Sequence, residues 1–514
     1  MMPRTPVPAA RPVPRPAPRR LRPRRKWAVQ LVVAILALVP AWFILTTDPR
    51  VPTSVKTQAA LLWVLCFVPA WDYFSRQPGK RPPLPFLPVV GMLFGVYFAL
   101  PIIAPVGFLP AGRLTINATT EYTRPVMVAL VGWISLGASY LLMGQLYRPS
   151  RHDPKMGWHP DVIRRWGFVM LYGGLVVEMV RREFYIPSIL RGALFFSATL
   201  AWFGAALLVV LATQGRLSRP AKLAVAVAVL AGITIQLTGG LTSYVAVWVG
   251  VVFLSVWIGR GSLPRKWIFS LVVAALLLLA VRSVIEEFRN VAWFTRSMTF
   301  TERIEFAYVL IDAKIRTEGL VDSAVEGWTK SGRWGTIDIY AHVVRETPER
   351  IPYWNGETYY SLVGMAVPRV LWPSKPNKML GQEFGHRYNF LLSDDVRTSI
   401  NLPYFVEFYA NFGFFGVLIG MAIVGAIYRV LQRLVNAPGQ SPLMSIVGLI
   451  LLFPLFNIES DFSLTFGGLL LNGLATYMVL RFLARRSALA TYEQAAAAQR
   501  RRTLGRLQTL HSPG

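Results

Sequence analysis

The sequence predicts an all-α, polytopic membrane protein with about 12 transmembrane helices and one large exterior loop between spans nine and ten. Hydrophobic residues make up 54% of the 514 residues, and charged residues only 16%, compared with roughly 25% in an ordinary soluble domain. Apolar runs of about the 20 residues needed to cross a bilayer recur along the chain. One polar stretch, Arg282 to Pro403, interrupts these runs. It is the only segment long enough to build a site outside the bilayer.

The order of the elements follows from these runs. Residues 1–26 are rich in proline and basic residues and hold too little apolar surface for a core, which predicts a disordered cytoplasmic arm. The predicted organisation then continues with membrane helices 1–9 in 27–284, a large periplasmic loop in 285–403, membrane helices 10–12 in 404–482, and a basic cytoplasmic tail in 483–514. The predicted spans are 27–46, 58–75, 84–104, 125–146, 166–180, 193–213, 221–237, 241–259, 267–284, 404–430, 443–457 and 463–482.

Charge distribution predicts the orientation. The formal charge of +28 would suggest nucleic-acid binding in a soluble protein. Most Lys and Arg residues, however, fall in the termini and in loops on one side, which is the positive-inside pattern of a membrane protein. We therefore expect a multi-pass protein of the bacterial inner membrane with both termini cytoplasmic and the large loop periplasmic, and no nucleic-acid partner.

The sequence gives no pattern typical of a metal site or a bound cofactor, and we expect neither. Cys66 is the single cysteine, and the five histidines are scattered without the i, i+4 spacing of a helical metal site. Asp394 and Asp395 are adjacent acids that suit a divalent cation. Because Ser393 precedes them, we favour a helix N-cap with a negative first turn.

The large loop carries helical patterns. Residues 301–316 place Ile304, Tyr308, Ile311 and Ile315 on one apolar stripe, which predicts a surface helix. Residues 336–344 predict a second short helix. A third, at 356–367, is too short to span and rich in aromatic residues, so we expect it in the membrane interface.

The stretch Pro368 to Pro376 combines three prolines with Arg369, Trp372 and Lys375. It has two interpretations. One is an interfacial anchor, because Trp favours headgroup depth and basic residues snorkel. The other is a rigid clamp whose two cations bind a lipid-linked phosphate.

Further charged residues follow this stretch and flank the loop. Glu407 and Asn411 are four residues apart at the start of span ten and so share a helix face. An ionisable residue at that depth usually faces a cavity. Arg282 and Arg289 stand at the exit of span nine, on the same outer rim as the stretch.

Four motifs in order resemble the oligosaccharide repeat-unit polymerases, the Wzy-type O-antigen polymerases of bacterial envelopes. They are Pro368 to Pro376, Gly381 to Gly385, Thr398 to Asn401, and Glu407 to Gly413. The resemblance covers mainly residues 367–420. It implies a glycosyltransferase that joins undecaprenyl-pyrophosphate-linked oligosaccharides into a surface polysaccharide, with the lipid bilayer and a chain-length regulator as partners.

Such a reaction needs cations to hold the departing pyrophosphate and a base for the attacking sugar hydroxyl. Glu407, Glu383 and His386 remain open as candidates for the base. The expected substrate-binding residues are Arg369, Lys375, Arg387, Arg397, Arg289, Arg282, Trp372 and Asn411.

Three alternatives remain. An O-antigen ligase of the same architecture differs in its acceptor, lipid A. A lipid-linked oligosaccharide transporter or flippase would use the loop as a periplasmic gate and would not lengthen glycans in detergent. A binding or assembly subunit without activity would tolerate substitution of Arg369 and Glu407 by Ala with no change in glycan length.

Overall fold

The computed structural model is helical, and it holds no strand in the ranges it describes. Those ranges are 23–76, 82–103, 121–147, 157–184, 186–240, 242–261, 265–289, 291–292, 298–329, 336–367, 371–372, 380–396, 398–438 and 440–510.

The helices are numbered in chain order. The first nine are α1 Pro23–Leu45, α2 Thr53–Ser75, α3 Phe86–Phe98, α4 Thr123–Leu146, α5 Pro160–Glu183, α6 Ser188–Thr213, α7 Arg219–Thr238, α8 Thr242–Arg260 and α9 Arg265–Arg289. The others are α10 Phe300–Glu318, α11 Leu320–Thr329, α12 Thr336–Glu346, α13 Tyr360–Ala366, α14 Leu380–Arg387, α15 Tyr404–Val435, α16 Pro442–Leu455 and α17 Gly468–Leu510. Short 3₁₀ turns at Leu100–Ile103 and Glu357–Tyr359 extend α3 and precede α13, and a π turn, Ser463–Gly467, precedes α17.

Eight helical segments among the described residues are long and apolar enough to cross a membrane, so the chain is a multi-pass membrane protein. They are Thr53–Ser75, Phe86–Ile103, Thr123–Leu146, Phe196–Thr213, Arg219–Thr238, Thr242–Arg260, Tyr404–Val435 and Ser463–Arg500. Three shorter apolar helices are Val29–Leu45, Val273–Arg282 and Pro442–Leu455. The fifth predicted span forms helix α5, which is not among the eight; it carries Glu178, Arg181 and Arg182 near its end.

Helix α15 is broken near its start. Phe412 has φ −142° and ψ 17°, and Gly413 has φ 62° and ψ −145°, a conformation that is essentially restricted to glycine. The segment before the break folds back onto the rest of the helix. Phe408 lies so close to Gly416 and Gly420 that a Cβ added at either glycine would overlap the Phe408 carbonyl or its ring. In a continuous helix, Phe408 and Gly416 would be about 12 Å apart.

The predicted tenth span therefore begins too early. Residues 404–411 form a separate short helix, here called the α15 N-segment, and 414–435 remain long enough to cross a bilayer. The span 414–435 packs closely against α4. Ser135 Oγ donates to the Leu418 carbonyl at 2.7 Å and Ser139 Oγ to the Ala422 carbonyl at 2.6 Å. Close approach through small residues is a common way of packing membrane helices.

The polar stretch between α9 and α15 divides between two sets of helices. Helices α10 and α11 pack on α9, and α10 also contacts α7, whereas α12 lies against α3, α4 and α15. Helix α13 packs on residues 463–467 and α17. The predicted helices at 301–316 and 336–344 are thus present. The predicted stripe of α10 is wrong in part, because Phe306, Ala307 and Leu310 pack on the end of α9 while Tyr308 is exposed.

Candidate functional site at the start of helix α15

Asn411 fastens the segment that precedes α13 to the α15 N-segment. It is fully buried, at 0% exposure. Its Oδ1 accepts a hydrogen bond from the Gly356 N–H at 2.8 Å, and its Nδ2 donates to Thr358 Oγ1 and to the Glu407 carbonyl, each at 2.9 Å. The Trp354 N–H also donates to the Ala410 carbonyl at 3.1 Å. Residues 354–358 therefore have one fixed position over the membrane helices.

Glu407 is the carboxyl group at the centre of this arrangement, and it is also 0% exposed. Its Oε2 accepts a hydrogen bond from the Phe462 N–H at 2.6 Å. The Thr358 hydroxyl, which accepts from Asn411, faces the same carboxyl group. The Tyr404 N–H donates to the Ser460 carbonyl at 2.8 Å. Glu407 thus joins the α15 N-segment, the 354–358 segment and the turn before α17.

Helix α14 places Arg387 over the same segment. The guanidinium lies 5.1 Å from the centroid of the Trp354 ring, and Nη2 donates to the Pro352 carbonyl at 2.7 Å. Glu383 is exposed and His386 half-buried on this helix. Glu383 lies four residues before Arg387 and so shares its helix face, whereas His386 directly precedes Arg387 in the chain.

Helix α12 supports α14 through a buried polar cluster. The His342 Nδ1 pairs with Arg345 Nη2 at 2.7 Å, and its Nε2 pairs with the Tyr388 carbonyl at 2.9 Å. A guanidinium can only donate, so Nδ1 accepts and the neutral ring carries its proton on Nε2. Burial, together with the neighbouring Arg345 charge, lowers the pKa of His342. Arg345 also binds Glu121 at 2.9 Å, which connects α12 to the entrance of α4.

Two further contacts at the entrance of α4 complete the site. The Tyr122 hydroxyl donates to Asp338 Oδ1 of α12. Burial and the Asp338 charge raise the pKa of Tyr122, so it stays a neutral donor. Arg124 lies over the ring of Tyr409, at 5.8 Å from its centroid. A guanidinium from α4 therefore lies on the α15 N-segment.

The structure brings together only some of the predicted residues. Arg387, Glu383 and His386 share α14, and Glu407 and Asn411 share the α15 N-segment. The two groups meet at the 352–358 segment, where Asn411 binds Gly356 and Arg387 lies over Trp354. Arg369, Lys375 and Arg397 lie outside the described residues, so their predicted roles remain predictions.

Trp372 and its neighbours bear on the two interpretations of the proline-rich stretch. Trp372 is 38% exposed, Leu371 is 77% exposed, and Tyr360 of α13 is 73% exposed. Exposed aromatic and apolar side chains beside membrane helices are typical of an interfacial anchor. This observation favours the anchor for Trp372 itself and leaves the clamp formed by Arg369 and Lys375 as a prediction.

Arg289 lies with a different set of helices. Its Nε and Nη2 donate to the carbonyl of Gly240, in the turn between α7 and α8, at 2.9 and 2.7 Å. Arg282 is half-buried on the same helix, α9. These two residues therefore stand where α10 and α11 pack, whereas Arg387 stands where α12 and α14 pack.

The described residues hold no group of three or more His, Cys, Asp or Glu side chains able to bind a metal ion. The predicted N-cap at Ser393 is wrong, because residues 393–394 form a turn and the described residues 395–396 and 398–403 after it are not helical. Asp395 Oδ1 instead accepts from the Thr398 N–H at 2.9 Å, as in a local polar turn.

Sequence reasoning missed Arg124, His342 and Arg345. Arg124 was detectable in part, because it is a basic residue on the sparsely charged side of a predicted span. His342 and Arg345 are three residues apart on a predicted helix. Their partners Tyr388 and Glu121 are distant in sequence, so no local pattern predicts these contacts.

The comparisons with known proteins give one match. A family model described as a domain of unknown function (DUF8712) matches residues 184–447, which span the chain from the end of α5 into α16 and include the α14–α15 site. Searches of curated proteins and of solved structures found no match.

Proposed function

The chain belongs to the family described as a domain of unknown function (DUF8712), and since this description carries no activity, we propose a function from the site and from the resemblance of its motifs. The proposed activity is a glycosyltransferase that joins undecaprenyl-pyrophosphate-linked oligosaccharide repeats into a surface polysaccharide. In this proposal the chain has twelve spans, the termini are cytoplasmic, and the segment between α9 and α15 faces the periplasm.

One observation carries the proposal. The segment before the basic stretch Pro368–Pro376 is fastened to the α15 N-segment by Asn411, and Arg387, which follows the stretch, donates to the Pro352 carbonyl of that preceding segment. A basic stretch tethered at both ends next to membrane helices suits a diphosphate that projects from a lipid. Preorganised guanidinium groups stabilise the charge that develops on a departing phosphate without reorganising during the reaction.

Within this proposal we assign each residue a role according to the exposure of its side chain. Arg387, with Arg369 and Lys375, holds the pyrophosphate, and Glu383 or His386 on α14 accepts the proton of the attacking hydroxyl. Glu407 is fully buried and already bonded to the Phe462 N–H, so we assign it to positioning of the segment.

The test uses membranes from a strain that lacks the chain, which would accumulate the lipid-linked repeat. Purified protein in detergent should convert this repeat into a ladder of longer glycans. Arg387→Ala should slow the conversion by about 100-fold, the usual effect of removing one group that stabilises charge in a transition state. Arg316→Ala on α10 is the matched control, because this guanidinium is 75% exposed and pairs only locally with Asp312.

The outcome separates the candidate functions. Detergent removes any role for translocation, so a transporter yields no ladder. A ligase yields glycan on lipid A and no glycan of increasing length on the pyrophosphate carrier. Equal rates for Arg387→Ala and Arg316→Ala would refute the assignment of the site.

A further inference from the structure

Arg124, at the entrance of α4, is a cation in an unfavourable position. It is exposed and is the second residue of the helix. The first turn of a helix carries a partial positive charge, so a cation there is unfavourable unless an anion neutralises it. The first turn of α4 has no acidic residue, and Glu121, just before the helix, binds Arg345 at 2.9 Å instead. An anion that does not belong to the described chain would therefore stabilise Arg124.

The ring beneath Arg124 carries a further donor without a partner. The guanidinium lies 5.8 Å from the centroid of the Tyr409 ring. Its charge also acts on the hydroxyl of Tyr340, whose ring centroid is 5.6 Å from that of Tyr409. Both tyrosines are 0% exposed, and neither hydroxyl has a hydrogen-bond partner among the described residues. Because a buried donor without an acceptor is costly, this corner favours a ligand that supplies acceptor oxygens.

Arg387 has a similar arrangement on the next residue of the α15 N-segment. Its guanidinium lies 5.1 Å from the centroid of the Trp354 ring. The Arg387 Nε and the indole N–H of Trp354 have no hydrogen-bond partner among the described residues. The Trp354 backbone N–H donates at 3.1 Å to the carbonyl of Ala410, the residue after Tyr409. The two rings that carry the guanidinium groups are therefore fixed at consecutive residues.

Both guanidinium groups lie at the same end of the membrane helices. Arg345 of α12 binds the residue before Thr123, which places α12 and the helix it supports, α14, beside the entrance of α4. Arg345 is neutralised, because it also binds Glu346 at 2.9 Å. By contrast, no carboxylate of the described chain forms an ion pair with Arg124 or Arg387. These two cations are thus available to a ligand.

We propose that Arg124 and Arg387 together bind one oxyanion of the substrate over the α15 N-segment, with the Tyr409 hydroxyl as a further donor. A guanidinium that stacks on an aromatic ring keeps its in-plane N–H groups free for a bidentate contact and loses little freedom on binding. Guanidinium groups can only donate, so the ligand must supply acceptors, as phosphate and carboxylate groups do. The identity of the oxyanion rests on the proposed function: it is the diphosphate of the lipid carrier or the carboxylate of an acidic sugar.

The experiment titrates inorganic pyrophosphate into the full chain in phosphatidylcholine nanodiscs and measures binding by isothermal titration calorimetry. Arg124→Gln and Arg387→Gln each remove one guanidinium and should weaken binding about tenfold, the effect of losing one charge-assisted hydrogen bond. Arg316→Gln on α10 is the matched control and should bind as the parent does, because this guanidinium is 75% exposed and pairs with Asp312. One ion should bind per chain.

Tyr409→Phe tests the role of the hydroxyl separately from folding. The substitution keeps the ring beneath Arg124 and removes only the hydroxyl. If the oxyanion accepts from this hydroxyl, binding should weaken about fivefold. The unfolding temperature should not fall, because the variant no longer buries a donor without an acceptor. A lower unfolding temperature with unchanged binding would show that another part of the chain supplies the acceptor and would remove Tyr409 from the site.

A second titration with glucuronate identifies the source of the oxyanion. Tighter binding of pyrophosphate assigns the site to the carrier, and tighter binding of glucuronate assigns it to an acidic sugar; both support the proposal when Arg124→Gln weakens them. Binding of neither probe to the parent, or parent-like binding of both to folded Arg124→Gln, would overturn it. Two bound ions, each lost in one variant, would overturn the shared site.

The proposed function and this site fail separately. The titration needs no lipid-linked repeat, so a chain that binds pyrophosphate through Arg124 and yields no glycan ladder would refute the proposed function alone. A chain that yields the ladder and binds pyrophosphate without Arg124 would refute the role of Arg124 alone.

Discussion

Substitution of Glu407 separates a positioning role from a catalytic one. In Glu407→Gln, the amide oxygen still accepts the hydrogen bond from the Phe462 N–H, and the side chain keeps its size. In Glu407→Ala, that N–H loses its partner and a buried cavity replaces the carboxyl group. The two variants therefore differ in whether the Phe462 N–H keeps its hydrogen-bond acceptor, whereas both remove the carboxyl group that a base would need.

The expected magnitudes follow from the contacts. An orphaned buried donor costs about 1–3 kcal/mol, and the Thr358 hydroxyl facing the carboxyl group loses an acceptor as well. Together with the cavity, Glu407→Ala should lower the free energy of unfolding by about 3 kcal/mol. Glu407→Gln keeps an oxygen acceptor for the Phe462 N–H and should cost no more than about 1 kcal/mol.

The assay combines unfolding in mixed detergent micelles with glycan elongation on the accumulated lipid-linked repeat. If Glu407 positions the segment, Glu407→Gln elongates glycans within a few-fold of the parent rate, and Glu407→Ala loses stability and activity together. A folded Glu407→Gln protein with parent-like stability and no elongation would refute this reasoning and make Glu407 the base.

Three further predictions rest on the same part of the structure. Asn411→Ala removes three buried hydrogen bonds and should speed hydrogen exchange of the Gly356 amide by at least about tenfold; parent-like exchange would contradict the role of Asn411 as a fastener. Gly413→Ala forces a side chain into a glycine conformation against the Tyr353 hydroxyl and should destabilise by about 1–3 kcal/mol, whereas Gly137→Ala, in open space on α4, should not lower stability. The folded pKa of His342 lies below its ordinary value of about 6.5, first because of burial and then because of Arg345. His342 therefore binds a proton more readily in the unfolded chain than in the folded chain. Its neutral form costs the folded state nothing above about pH 6.5, and the free energy of unfolding falls as the pH drops below that value. Thermal unfolding at pH 7.5 and pH 5 should show a larger loss for the parent than for His342→Gln, and equal losses would exclude His342 as the source.

Much of the fold was predictable from local patterns. Composition and apolar run length report directly on burial in lipid, and most of the predicted spans correspond to helices. Helices α10 and α12 were also predicted, because apolar periodicity in a polar stretch is a property of the stretch itself. The face that α10 buries was predicted only in part, since the surface of α9 decides which side packs.

The candidate site was predictable only as a set of residue types. Glu407, Asn411 and Arg387 were selected because charged and amide groups are rare beside membrane helices. Their roles depend on Phe462, Gly356 and Pro352, which are distant from them in the chain.

The sequence by itself determined the class of protein, the positions of most helices and the segment on which the chemistry concentrates, because hydrophobicity and periodicity act over one or two helical turns. Only the tertiary structure decided that α15 breaks at Gly413, that Glu407 is buried, and that Arg289 stands beside Arg182 and apart from Arg387. A backbone break and a hydrogen-bond partner are selected by groups that folding brings together from distant parts of the chain, and a linear sequence does not display that proximity.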